Sequence, residues 1–131
     1  MSAYQSINPA NNQLLKTWPS HDDSYAQQAL HTADALYHSP WSKGDIQPRL
    51  QVLQRLAELI DQRSEELATI ASKEMGKLIG QSRGEVKICA SIARYYAEHA
   101  ARLLQAQPYP SDVGDAWLEY HPIGVVVAVE P

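Results

Sequence analysis

The chain has 131 residues, 44% hydrophobic and 20% charged, enough for one folded domain of ordinary size. A formal charge of −4, from 11 Lys and Arg against 15 Asp and Glu, argues against a nucleic-acid or anionic-membrane surface. A single cysteine, Cys89, excludes an internal disulfide and any zinc site built on two thiolates.

Tyr4–Ile7 and Gln13–Trp18 flank Asn8-Pro9-Ala10-Asn11-Asn12, a run of turn formers, and together predict a β-hairpin closed by Pro19. Ser20 is the expected cap of a first helix, with Asp22 and Asp23 at its positive end. Ala26, Ala29, Leu30, Ala33, Leu36 and Tyr37 fall on one stripe at helical spacing, and Ser39-Pro40 ends it. A loop with Trp41 and Gly44 is expected next. Asp45 then caps a second helix, with Pro48 in its first turn. Its stripe is Ile46, Leu50, Leu53, Ala57 and Ile60, widened by Leu56 and Leu59. Arg63-Ser64 reads as a break, because Ser64 before Glu65 and Glu66 is a fresh N-terminal signature. The third helix runs to a stop at Gly76.

A long fourth helix is expected from Ile79 to Gln105, burying Val86, Cys89, Ala90, Ala93, Ala97, Ala100 and Leu104, with Pro108 and Pro110 beyond it. Ala116–His121 alternates and reads as an amphipathic strand. Gly124–Val129 is apolar throughout after its glycine, which suits a strand covered on both faces in a parallel sheet. The N-terminus has no basic or apolar leader pattern, and the run Ile123–Val129 is far shorter than a membrane span, so a cytoplasmic setting is expected.

No complete catalytic set emerges from spacing. Cys89 and His99 sit about 15 Å and about 80° apart on one helix, too far for a local dyad, so Cys89 reads as a small buried thiol. The five histidines include no i,i+4 pair and no HExxH motif, so no metal site is expected. Gly76, Gly80 and Gly84 recur every four residues, a pattern read as close packing or helix-end geometry. No glycine-rich phosphate loop is present.

The order of the motifs is more specific than any one of them. Asn8-Pro9-Ala10, Trp41, Arg49 to Arg63, Glu66-Leu67-Ala68, Glu74-Met75-Gly76-Lys77, Arg94-Tyr95-Tyr96-Ala97-Glu98-His99-Ala100 and His121-Pro122-Ile123-Gly124-Val125-Val126 through Glu130-Pro131 follow in series. This series resembles the N-terminal part of the NAD(P)-dependent aldehyde dehydrogenase superfamily, and its middle segments look most like bacterial succinate-semialdehyde dehydrogenases.

The resemblance implies an α/β fold. Residues 1–114 would form the N-terminal helical part of the cofactor-binding domain, 115–122 an oligomerisation-arm strand, and 123–131 the first, truncated strand of a Rossmann-type core. It further implies an NAD or NADP cofactor against Val129, Glu130 and Pro131, in keeping with ligands lying at the carboxyl ends of parallel strands. Ile88 would line the substrate tunnel, and the enzyme would be a homo-oligomer, dimer or tetramer. In the family a thiolate attacks the aldehyde, hydride passes to the cofactor and water releases the acid. The catalytic Cys, Glu and oxyanion-holding Asn are expected beyond Pro131, so these 131 residues alone are expected to be inactive. A free-standing helical interaction module is the alternative.

Overall fold

The computed structural model describes residues 4–129. Strands β1 (Tyr4–Ile7) and β2 (Leu14–Trp18) pair antiparallel, Tyr4 opposite Trp18, with a bulge between Ser6 and Ile7. The turn is built as its residues dictate. Asn12 takes a left-handed φ of 58°, the Asn8 carboxamide oxygen accepts from Ala10 N–H, and the Asn11 carboxamide oxygen accepts from Gln13 N–H.

Helix α1 (Asp23–Tyr37) starts later than expected, and its cap is Asp22, not Ser20. The Asp22 carboxylate accepts from Tyr25 N–H at 2.9 Å and from the Ser24 hydroxyl at 2.7 Å, geometry that the earlier serine does not share. The expected Trp41 loop is instead a one-turn helix, α2 (Pro40–Lys43). Ser39 caps it, and Pro40 opens it at a position where no intrahelical N–H is needed.

Helix α3 (Gln47–Gln62) follows; its cap position is Ile46 and not the expected Asp45, which stands one residue earlier and accepts from Gln47 N–H in a local turn. Arg63 separates it from α4 (Ser64–Met75), which ends on Gly76 at φ 67°. Helix α5 (Ile79–Leu103) lies against α3 and α4 and stops two residues short of the expected Gln105.

The core is small and made of small residues. Leu50, Ala57, Ala68, Ala90 and Ala93 are the buried apolar side chains among the described residues, and Ser82 is buried with them. Alanine lets helix backbones approach closely, and the Ser82 hydroxyl meets that of Ser72 at 3.1 Å, so a buried polar group keeps a partner. Ion pairs brace the same contacts. Arg83 of α5 donates twice to Glu65 of α4, at 2.9 and 2.7 Å, and Arg94 of α5 pairs with Asp61 of α3.

Several expected core positions lie outside this core. Cys89 and Leu104 are exposed, as are Leu56 and Leu59, because the α5–α3 and α5–α4 contacts use a narrower stripe than the sequence periodicity allows. Gly80 and Gly84 have open space where a Cβ would stand, so only Gly76 of the three is held by its geometry.

Past α5, strand β3 (Gln107–Tyr109) pairs antiparallel with β4 (Ala116–Leu118). Pro108, expected only to terminate the helix, lies within β3, where a strand with one neighbour tolerates the missing N–H. β4 keeps only the first half of the expected Ala116–His121 strand. Gly124–Val129 is not a strand here. Strand geometry is fixed by ladder hydrogen bonds, and no described segment pairs with this one.

Candidate functional site

The residues singled out by sequence fall in two places. Ile88 stands on α5, 60% exposed, on the side turned away from Ala90 and Ala93. Val129 stands at the end of the unpaired segment, 89% exposed. Glu130 and Pro131, the other two expected cofactor contacts, lie outside the described residues.

That unpaired segment starts from an anchored point. The Tyr37 hydroxyl donates to the Pro122 carbonyl at 3.3 Å, which seats the chain on the end of α1. A hollow of about 330 Å³ lies between Leu36, Tyr37, Trp41 and Arg49 on one side and Gly124 to Val126 of this segment on the other. A larger hollow of about 680 Å³ opens between α2, the start of α3, the end of α5 and Tyr120–Pro122. Neither is lined by Ile88, Cys89 or Val129. Among the described residues, these two hollows do not bring Ile88 and Val129 together.

Helix α5 carries a second apolar stripe that the sequence reading missed. Ile88, Ile92 and Tyr95 recur at i, i+4 and i+7, all about half exposed or more. His99 continues the row, its ring edge-on to Tyr95 at 4.5 Å. The i, i+4, i+7 spacing of this row is visible in the sequence beside the alanine stripe of the opposite face.

The charges belong to the scaffold. Hydrogen bonding to Arg83 holds the Glu65 carboxyl below its ordinary range, and Arg63 does the same for Glu66 at 2.8 and 2.7 Å. The Ser24 hydroxyl, then the Tyr25 N–H, lower the Asp22 carboxyl. Each shift stabilises an ionised helix-surface group, and none creates a proton donor or acceptor poised near neutral pH. No group of three or more His, Cys, Asp or Glu suited to a metal occurs among the described residues, and no helix there is long and apolar enough to cross a membrane.

Val129 offers an apolar side chain and free backbone groups but no charged or polar side chain to a dinucleotide.

Comparison with known proteins adds to this geometry. The model of the aldehyde dehydrogenase family matches residues 1–131. A Deinococcus radiodurans protein named succinate-semialdehyde dehydrogenase, NADP(+), is 32% identical over 128 residues, covering 98% of this chain and 27% of the relative. An Escherichia coli protein named succinate semialdehyde dehydrogenase, NAD(P)+, is 36% identical over 128 residues, covering 96% of this chain and 27% of the relative. The crystal structure of succinic semialdehyde dehydrogenase from Streptococcus pyogenes, in complex with NADP+, superposes with a TM-score of 0.83 at 36% identity, covering 88% of this chain and 25% of that one. The chain thus spans about a quarter of the length of these relatives.

Proposed function

The chain belongs to the aldehyde dehydrogenase family, and from that premise we propose that it forms the N-terminal portion of an enzyme oxidising succinate semialdehyde to succinate with NAD(P). The observation that carries this reading is the similarity to enzymes of that name over almost the whole chain, at 32–36% identity. Their names carry NADP(+) and NAD(P)+, which supports NAD or NADP as the cofactor here.

In this reading the bound cofactor accepts hydride, and the chain's own part is positional. The segment from Ile123 to Pro131 forms a wall of the cofactor site, with Val129, Glu130 and Pro131 at the contact. Val129's exposure supports that role. In the same reading residues 1–114 are the helical part of the cofactor-binding domain and residues 115–122 a strand of the oligomerisation arm. The exposed pair β3–β4, with free backbone groups on its outer edges, supports edge pairing between subunits.

Helix α5 presents Ile88 toward the aldehyde. Its register is set by Arg83 and Arg94 on either side, each tied to a different helix. Catalysis of this type needs an activated thiolate, an oxyanion site and a base for water. Cys89 is not assigned the first of these roles. It is the exposed thiol of a helix interior, and no histidine is bonded to it among the described residues.

The test is kinetic. In the complete enzyme, Ile88→Ala is expected to raise KM for succinate semialdehyde several-fold while leaving helical content unchanged, since the side chain is 60% exposed in the helical layer. Unchanged KM and kcat for every aldehyde tried would remove Ile88 from the substrate path.

A further inference from the structure

Three hydrogen bonds join the ends of α1, α2 and α3 to the start of the Ile123–Val129 segment, each made to a backbone carbonyl outside any helical ladder. Tyr37 is the last residue of α1, so its carbonyl has no intrahelical donor, and the Ser42 hydroxyl of α2 donates to it. The Ser42 carbonyl, in the only turn of α2, accepts from Arg49 Nη1 of α3 at 3.0 Å. The Tyr37 hydroxyl donates in turn to the Pro122 carbonyl at 3.3 Å, across 85 residues of sequence. The Tyr37 ring is half-buried, and the Lys43 ammonium stands 5.7 Å from its centroid, within cation–π range. Two residues past Pro122, Gly124 takes φ 110°, a conformation that favours glycine, so the direction of the segment is set just after the anchored carbonyl.

We propose that Arg49, Ser42 and Tyr37 act as one relay of positioning residues, which holds the Ile123–Val129 segment in place for the cofactor and so sets the affinity for NAD(P). Resting on the functional reading above, the relay acts through Val129 and touches no cofactor atom itself. In an extended segment, a slip of one residue turns every side chain to the opposite face, so only one register presents the right groups to a ligand. An anchor at the start of the segment selects that register before the ligand arrives. Apparent affinity falls in proportion to the fraction of molecules held in the competent position. One neutral hydrogen bond shifts such an equilibrium by about two- to tenfold, which bounds what the Tyr37 hydroxyl can contribute. Ile88 stands on α5, outside the relay, so aldehyde binding is expected to be independent of it.

The experiment uses the complete enzyme. Tyr37→Phe removes the hydroxyl and keeps the ring. It is expected to raise the Kd for NADPH or NADH, whichever binds tighter, about two- to tenfold in a fluorescence titration. KM for succinate semialdehyde, kcat at saturating cofactor and helical content are expected to stay unchanged. Amide exchange at Val125 and Val126 is expected to quicken. Ser42→Ala cuts the relay one link earlier and is expected to weaken dinucleotide binding in the same direction, with the double variant losing less than the two single variants combined. Tyr25→Phe is the control, an exposed tyrosine on the same helix outside the relay, and is expected to leave Kd unchanged. Unchanged dinucleotide affinity in Tyr37→Phe, an equal rise in Tyr25→Phe, or a rise in aldehyde KM as large as that in Kd would overturn the proposal. An enzyme that binds neither dinucleotide would count against the functional reading; faster exchange at Val125 and Val126 in Tyr37→Phe would then still support the anchor, and unchanged exchange would overturn it as well.

Discussion

Replacing Gly76 by alanine isolates one joint of the structure. Gly76 ends α4 at φ 67°, where an L side chain costs about 1–2 kcal/mol. A Cβ there would also meet Pro9 Cγ at 3.0 Å, so the hairpin turn must shift by a few tenths of an ångström. Gly76→Ala is therefore expected to destabilise by about 1–2 kcal/mol or somewhat more, and Gly76→Asn by less, because asparagine visits the left-handed region more readily. Gly84→Ala should do the opposite. It sits inside α5 with open space around it, and alanine there gains about 0.5–1 kcal/mol of helix stability. Urea unfolding followed by the helical circular dichroism signal measures both. Pro9→Ala in the Gly76→Ala background should recover only the steric share. Equal losses at Gly76 and Gly84 would refute the argument, since the glycine spacing would then be a packing motif after all.

Leu50, at 9% exposure, is the one large apolar side chain in the core among the described residues, so Leu50→Ala should cost about 2–5 kcal/mol in the same unfolding assay. Leu56→Ala, at 45% exposure, should cost well under half of that, and parity between the two would contradict the assigned core. Glu65 has a folded-state pKa depressed by Arg83, so its contribution is present above the ordinary glutamate range and is lost as pH falls through the depressed value. The wild-type advantage over Glu65→Gln should therefore shrink with acidification, and a pH-independent difference would exclude the ion pair as its source.

Much of the helical layer was legible because its causes are local. Asn8 and Asn12 make the turn, and Gly76 stops α4, each through its own backbone neighbours. The mistakes share another cause. Ser20 and Asp22 are both capping residues, and which one wins depends on where the helix begins. Cys89 and Leu56 fit an apolar stripe, but a stripe does not say how wide its partner helix is. Gly124–Val129 reads as a strand from its valines, and a strand exists only with a neighbour to pair with. The candidate site was legible mainly by resemblance. Ile88 is aliphatic, Val129 is aliphatic, and neither type announces a ligand.

Turnover by the reconstituted enzyme tests the central claim most directly. The 131-residue chain, assembled with the remaining part of the Streptococcus pyogenes enzyme, is expected to reduce NAD(P) with succinate semialdehyde, while neither polypeptide does so alone. Turnover by the 131 residues alone, or a stable assembly that reduces no cofactor with any aldehyde while the Streptococcus halves reconstitute activity, would contradict the account.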